Sequence, residues 1–219
     1  MYLRSLFAAA MIAACTAPAQ AALFTDASGF GAVDEDFESF DGLVVPSPWP
    51  TLIAGGSVAV SADGDSTLGA FAVDLGENGT WGAGNRFTGI GDLVNGGSDY
   101  EGAMYFSFDA SYGAGAQFSI FQMPAGTAAI TLEAYGVGFE LLESHSFVID
   151  FADPLANNAS LFFGIGRDSA EVVGLRVSGD GFVLDDLRVA TAPVPVPAAL
   201  PLFLGGVGLL GAAARRRRA

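Results

Sequence analysis

Residues Gly181–Val189 read Gly-Phe-Val-Leu-Asp-Asp-Leu-Arg-Val, an aliphatic run interrupted by two adjacent carboxylates. Successive side chains of an extended chain point to opposite faces, so Asp185 and Asp186 would lie on different faces, each among apolar neighbours. Because both faces are partly apolar, the run predicts a β-strand without showing which face lies inside.

Similar short runs fill the chain between residues 22 and 192, separated by turn-forming residues, and no convincing long helical period is present. In Ala103–Asp109, the side chains of Met104, Phe106 and Phe108 would face one side. About ten strands at this spacing predict an all-β fold, a single β-sandwich or jelly roll. The predicted strands are Val33–Phe40, Thr51–Ala62, Leu68–Leu75, Ala103–Asp109, Ala116–Gln122, Thr127–Val137, His145–Phe151, Ser160–Gly164, Glu171–Ser178 and Gly181–Val189, with a short one at Arg86–Ile90 inside a Gly-rich surface loop over Asn78–Tyr100.

Charge is distributed unevenly along the 219 residues. The formal net charge is −15, but all 24 acidic residues fall within residues 22–192, where only four of the nine arginines lie, so this body carries −20. So acidic a body repels phosphate backbones, which argues against a nucleic-acid partner. The chain contains no lysine, which excludes Schiff-base, Ser–Lys and P-loop chemistry.

The first 21 residues are typical of a secretory signal peptide. An apolar stretch at Ser5–Ala14 is followed by Ala19-Gln20-Ala21, an A-x-A site that predicts cleavage after Ala21. The alternative is lipidation at Cys15, because residues 12–15 (Ile-Ala-Ala-Cys) resemble a lipobox. Cys15 is the only cysteine, so cleavage after Ala21 leaves a mature protein without disulfides or cysteine-based chemistry.

The C-terminus carries three features in order. Val194-Pro195-Val196-Pro197-Ala198 is a Pro-rich segment that favours an extended backbone. Residues 198–214 are 17 residues without a charge, and a helix of that length covers about 25 Å, the lower limit for spanning a bilayer. Arg215–Arg218 follow, and by the positive-inside rule they stay cytoplasmic while the acidic body lies outside.

This order resembles the VPLPA variant of the PEP-CTERM sorting signal of Gram-negative bacteria, with Val196 where the commonest variant has leucine. The resemblance covers residues 193–219. It implies an exosortase-type membrane protease as the partner that recognises the motif and cuts near it, with anchoring in the inner membrane before processing. It also implies delivery to the cell surface or extracellular matrix, often alongside exopolysaccharide. The chain is thereby divided into a signal peptide (1–21), a β-sandwich ectodomain (22–192) and a sorting signal with a transmembrane helix (193–219).

The body itself resembles carbohydrate-binding jelly rolls at its two ends. A Phe-Glu pair near the start, Phe37-Glu38, and the late Leu-Asp-Asp-Leu sequence are similar to the first and last strands of such domains. The resemblance implies that these strands lie close together and hold a structural Ca²⁺ through Glu38 and Asp185 or Asp186. The alternatives are that these carboxylates are solvated strand ends, or that Asp185 caps backbone amides.

Catalytic constellations are scarce. His145 is the only histidine, and no G-x-S-x-G elbow is present, so His145 is interpreted as an exposed or structural residue. No pair of carboxylates stands out for glycoside hydrolysis. We therefore expect no catalytic residues and a non-enzymatic exported surface or matrix protein. The alternatives are a carbohydrate-binding module that binds a glycan and, behind it, an exported hydrolase.

Two loop tryptophans, Trp49 and Trp81, bear on the carbohydrate-binding alternative. Trp49 lies in the stiff segment Pro46–Pro50, and Trp81 lies in the Gly-rich loop. Exposed aromatic rings stack on the C–H faces of sugars, whereas buried rings plug the ends of sandwiches. We expect Trp49 to pack, with sugar stacking as the alternative.

Overall fold

A computed structural model describes residues 22–45, 49–63, 66–71, 86–90, 101–120, 126–151 and 161–194. The signal peptide with its cleavage residues Ala19 and Ala21, the lipobox at Cys15 and the sorting motif from Pro195 to Ala198 lie outside these residues. Trp81 and the apolar run before the terminal arginines lie outside them too. Within the described part of the chain, no helix has the length and apolar character needed to cross a membrane.

The described residues form strands joined by turns. Two 3-10 turns occur, at Ala27–Gly29 and Ala54–Gly56. The strands are β1 (Ala22–Phe24), β2 (Leu43–Val44), β3 (Thr51–Ile53), β4 (Val58–Asp63), β5 (Ser66–Phe71), β6 (Arg86–Ile90), β7 (Glu101–Ser111), β8 (Gly113–Ile120), β9 (Gly126–Tyr135), β10 (Leu141–Phe151), β11 (Leu161–Gly166), β12 (Val172–Asp180) and β13 (Phe182–Val189).

Two antiparallel sheets are arranged as a sandwich. The seven-stranded sheet has the order β1-β11-β8-β13-β6-β5-β2, and the six-stranded sheet has the order β10-β9-β12-β7-β4-β3. The predicted all-β class and two-layer sandwich are therefore confirmed. The short strand expected at Arg86–Ile90 is present as β6, between β5 and β13.

The core lies between the two sheets, as the period-2 pattern of the strands requires. On β7, Met104 is 0% and Phe106 is 1% exposed, so the side that they were predicted to share is the inward one. Across from them, Phe118 of β8 and Leu184 of β13 are both 0% exposed. Burying one such side chain stabilises the fold by about 1.5–3 kcal/mol, so this interface is the main source of stability.

A second apolar cluster covers the outer face of the seven-stranded sheet. Phe30, Phe162, Ala190 and Val194 are buried there, with Phe24 and Tyr112 packed against them. Val194, the first residue of the sorting motif, is 2% exposed and packs over Gly166. Both ends of the described chain are thus packed against the sandwich.

The segment Val33–Phe40, expected as the opening strand, is instead a turn-rich segment with a single bridge, Glu35 to Leu187. The Glu35 carboxylate accepts the amide hydrogens of Phe37 at 2.9 Å and Ala54 at 2.6 Å. Phe37 adopts φ +54°, which no strand allows. The prediction was wrong because these local side-chain hydrogen bonds replace the ladder of a strand.

Two smaller expectations also fail. The run Thr51–Ala62 is divided by the turn at Ala54–Gly56, so it forms the hairpin of β3 and β4 instead of one strand. Trp49 is 73% exposed, so it does not plug the sandwich as expected.

Candidate functional site

Strand β13 lies at the centre of the seven-stranded sheet and carries the two carboxylates singled out from the sequence. Its register against β8 shifts between Asp185 and Arg188, which marks a β-bulge. Asp186 adopts φ +49° within this bulge, a backbone conformation that is uncommon for a residue other than glycine. The bulge interrupts the regular alternation of faces along this segment.

Asp185 is an acidic side chain that is buried in the fold. It is 1% exposed, and its Oδ1 accepts the amide hydrogen of Asp186 at 2.7 Å. Burial raises the pKa of Asp185 to about 8, and the negative charges of Asp186, Glu38 and Asp36 act in the same direction. Asp185 therefore does cap a backbone amide, and it is not a solvated strand end.

Asp186 is buried beside it but has different partners. Its Oδ2 accepts a hydrogen bond from Gln117 Nε2 of β8 at 2.7 Å, and its Oδ1 is buried without a hydrogen-bond partner. Burial raises the pKa of Asp186, while the Arg188 guanidinium opposes that shift. An orphaned carboxylate oxygen at this depth is costly, and either a proton or a cation would relieve it.

Glu38, the third residue of the expected calcium site, has a structural contact of its own. Its Oε1 accepts the amide hydrogen of Arg86 at 2.7 Å, which joins the 35–38 turn to β6. Its charge acts on Asp185, so the turn and β13 are neighbours, as the resemblance implied. Nevertheless, within the described ranges no three His, Cys, Asp or Glu side chains gather as a ready-made metal cage. The carboxylates and the orphaned Oδ1 suit Ca²⁺ chemically, and further ligands would have to be backbone carbonyls or water.

One end of the sandwich contains a cavity of about 260 Å³, lined in part by Asp34, Asp109 and Tyr112. The Asp34 carboxylate already has a structural partner, because its Oδ2 accepts the amide hydrogen of Val189 at 2.7 Å. Tyr112 packs against the outer apolar cluster. Phe108 also lines the cavity, but its ring packs against the core, so both aromatic residues of the lining have structural roles.

The outer face of the six-stranded sheet has a more distinctive arrangement. In one row across the strands, Arg176 of β12 lies opposite Glu133 of β9 on one side and Tyr105 of β7 on the other. In the adjacent row, Gly174 of β12 lies between Tyr135 of β9 and Ser107 of β7. The pleat brings all six side-chain positions to the solvent face, because the residues between them face the core. We call these six residues the sheet-face rows; they are Tyr105, Ser107, Glu133, Tyr135, Gly174 and Arg176.

A groove of about 130 Å³ runs over four of these six residues, Tyr105, Ser107, Tyr135 and Gly174. Tyr105, Tyr135 and Phe139 supply its aromatic walls, and Gly174 forms part of its floor. Phe139 projects from the β9–β10 turn, is 77% exposed and adopts φ +61°. The result is a shallow aromatic groove that the sheet holds rigidly on two strands and the turn overhangs on one side.

Gly174 is a glycine that the backbone does not demand. Its φ is not in the left-handed region, and a Cβ built there would lie 3.4 Å from the nearest atom, the Phe106 carbonyl oxygen, and 3.8 Å from Tyr135 Cβ. These are ordinary contact distances. The glycine at this position therefore keeps open a space that a side chain would fill.

Arg176 is held in place beside the groove by a polar network. Its Nη1 donates to Glu133 Oε2 at 2.6 Å, and its Nε donates to the Tyr105 hydroxyl at 3.0 Å, with the guanidinium 5.4 Å from the Tyr105 ring centre. Burial works against the charged form of Arg176, but the hydrogen bonds to Tyr105 and Glu133 outweigh it and raise its pKa. Burial and the Glu133 charge raise the pKa of Tyr135.

From the sequence, sugar stacking was considered only for aromatic residues in loops, so the outer face of the six-stranded sheet was not predicted as a site. Tyr105 and Tyr135 were predicted to lie in strands, but not to lie side by side on one face. Their alignment depends on the registers between β7, β12 and β9, which the local sequence does not reveal. One signal was available: both tyrosines alternate with residues that prove to be core, Phe106 and Ala134. Trp49 is exposed, but it does not line this groove.

No family model and no curated protein matches the chain. Among solved structures, the K2 cleaved adhesin domain of Lys-gingipain shares 12% identity over 77% of this chain and 98% of its own, with a TM-score of 0.37. TmCBM61, solved with beta-1,4-galactotriose, shares 14% identity over 72% of this chain and 95% of its own, with a TM-score of 0.32. The CBM22-1–GH10 modules of Clostridium thermocellum xylanase 10B, solved with xylohexaose, share 11% identity over 76% of this chain and 29% of their own, with a TM-score of 0.34. At these TM-scores the likeness carries no argument about function.

Proposed function

We propose that this protein is an exported, non-enzymatic surface or matrix protein that binds polysaccharide through the aromatic groove on its six-stranded sheet. The observation that carries the proposal is the open floor at Gly174 between the rings of Tyr105, Tyr135 and Phe139. The second part, delivery by an exosortase-type system, is supported by the order of motif, apolar run and arginines at the C-terminus.

The groove suits the surface of a sugar ring. Pyranose rings have faces of C–H groups and rims of hydroxyls, so they bind where aromatic rings meet a few fixed polar groups. Here the Tyr105 and Tyr135 rings provide the apolar contact, and Ser107 adds a hydroxyl on the floor. Tyrosine contributes a large contact area at low cost in conformational entropy, which favours rings held on strands.

Phe139 gives the sharpest test of this proposal, because its side chain is exposed and has no part in the core. We expect Phe139→Ala to weaken binding to a responsive polysaccharide about tenfold, equivalent to about 1.4 kcal/mol, without lowering the melting temperature. The matched control is Val137→Ala, which removes an equally exposed side chain, 76%, from the same turn but outside the groove. Trp49→Ala tests the loop alternative.

The measurement is affinity electrophoresis of the full chain in mild detergent through gels containing single polysaccharides. Retardation that Phe139→Ala removes and Val137→Ala keeps supports the groove. Retardation that depends on Trp49 alone, or on no aromatic residue, contradicts it. Release of reducing sugar from any polysaccharide in the panel, abolished by one carboxylate substitution, would contradict the non-enzymatic assignment and favour an exported hydrolase.

We also propose a structural Ca²⁺ beside β13, supported by the orphaned Asp186 Oδ1 and by the burial of Asp185 among other carboxylates. A cation at Asp185 and Asp186, near Glu38, would neutralise a costly cluster of buried negative charge. Calcium at 100 times its dissociation constant adds about 2.7 kcal/mol of stability. We expect chelation to lower the melting temperature of the wild type but not of Asp186→Asn; an unchanged wild-type midpoint would contradict the proposal.

A further inference from the structure

The electrostatics of the aromatic groove indicate which polysaccharides it takes. Arg176 is the arginine beside it, and its Nη1 is 2.6 Å from Glu133 Oε2, with side chains only 27% and 16% exposed. Ser178 Oγ also accepts from Nη1, at 3.0 Å. The positive charge that would attract a uronate or sulfate group is therefore neutralised within the sheet face.

A second carboxylate lies at the rim. The Tyr105 hydroxyl donates to Asp63 Oδ2 at 3.2 Å, and Asp63 is exposed at the end of β4. Glu133 acts from the other side, where it accepts a hydrogen bond from the Tyr135 hydroxyl at 3.3 Å. With residues 22–192 at −20, the local and the global fields have the same sign.

We propose that the groove takes an uncharged polysaccharide and excludes chains that carry carboxylates or sulfates. This inference rests on the proposed function and assigns its ligand class. Sugar hydroxyls need only fixed dipoles, which the Tyr105 hydroxyl and Ser107 supply. An anionic chain would bring negative charge next to Asp63, while Arg176 is already paired with Glu133 and offers that chain no free cation, and like charges placed side by side oppose binding.

The test compares neutral with acidic polysaccharides at two salt concentrations. The full chain in mild detergent is run through gels containing galactan, xylan or hydroxyethyl cellulose, and through gels containing polygalacturonate or alginate. We expect at least one neutral polymer to retard the protein equally at low and high salt, and neither acidic polymer to do so. We further expect polygalacturonate to retard Glu133→Gln, in which Arg176 is not neutralised, at least three times as strongly as it retards the wild type. High salt should remove this difference.

The control for net charge is Asp41→Asn, which removes one negative charge from an exposed position outside the groove, beside Arg86. If Asp41→Asn gains as much acidic-polymer binding as Glu133→Gln, the discrimination is not local and the proposal is overturned. If the wild type binds an acidic polymer and Phe139→Ala abolishes that binding, the proposed ligand class is wrong but the proposed function stands. Retardation on no polymer overturns both, as does a Phe139-dependent dimer in light scattering that covers the groove with a second copy.

Discussion

Substituting Gly174 should separate stability from binding, because the two effects have opposite signs. A glycine inside a strand costs roughly 0.5–1 kcal/mol relative to alanine. At Gly174 the new Cβ would make only ordinary contacts, the nearest at 3.4 Å, so that gain is not offset by a clash. For a domain of this size 1 kcal/mol corresponds to about 2–4 °C, so Gly174→Ala should raise the melting temperature by about 1–4 °C.

The same substitution at Gly89 is the matched control. This glycine also lies in a strand, β6, without a left-handed φ, but its Cβ would lie 2.4 Å from the Phe182 carbonyl oxygen and 2.8 Å from Val183 Cγ1. Overpacking of this kind typically costs about 1–3 kcal/mol, so Gly89→Ala should lower the melting temperature by several degrees.

Binding completes the experiment. Gly174→Val places a branched side chain over the floor of the groove and should abolish retardation by the responsive neutral polysaccharide while the protein remains folded. Calorimetric melts and gels of the three variants supply the data. A Gly174→Ala variant that melts as low as Gly89→Ala would refute the steric reasoning, and a Gly174→Val variant that still binds would refute the groove.

Three further outcomes can be measured on the same protein. Val194→Ala should lower the free energy of unfolding by about 1.6 kcal/mol, from two buried carbons at ~0.8 kcal/mol each. Thr191→Ala, at an exposed position, should change the melting temperature little, and equal effects of the two substitutions would show that Val194 is not docked. Because the pKa of Asp185 is raised to about 8 by burial, the folded state of the calcium-free protein retains a proton that the unfolded state loses, so the free energy of unfolding should fall as pH rises from about 4 to about 8. Asp185→Asn should flatten that dependence, and an unchanged pH profile would be the contrary result. Glu35→Ala should lower the free energy of unfolding by about 3 kcal/mol, because both carboxylate oxygens accept backbone amide hydrogens, at 2.9 Å and 2.6 Å. A loss below 1 kcal/mol in urea melts would contradict this.

The sequence was sufficient for the class of fold and for which residues share one face of a regular strand. The spacing of Met104, Phe106 and Phe108 predicted that they share one face of β7, and that face is the one that packs in the core. Frequent turns and many glycines predicted several short strands. The pattern failed at Val33–Phe40, because the carboxylates of the adjacent Glu35 and Asp36 accept the backbone amides of Phe37 and Glu38 and so favour turns.

The site was harder to predict, because it depends on registers between strands distant in sequence. Tyr105 and Arg176 are 71 residues apart and meet only because β7 and β12 pair in one particular register. The bulge in β13 likewise brings Asp185 and Asp186 into one buried region, whereas an ideal strand would separate them. Neither relation leaves a pattern in the local sequence.

The positions of the chain ends give the molecule a front and a back. Ala22 pairs with Gly166 at the edge of the seven-stranded sheet, and Val194 packs over the outer face of that sheet. The aromatic groove lies on the opposite layer. Val194, the last described residue, therefore lies on the rear of the sandwich, opposite the face that carries the groove. If the protein is tethered beyond Val194 and binds through the groove, as proposed, attachment and ligand binding use separate faces, and neighbouring copies do not block one another's grooves.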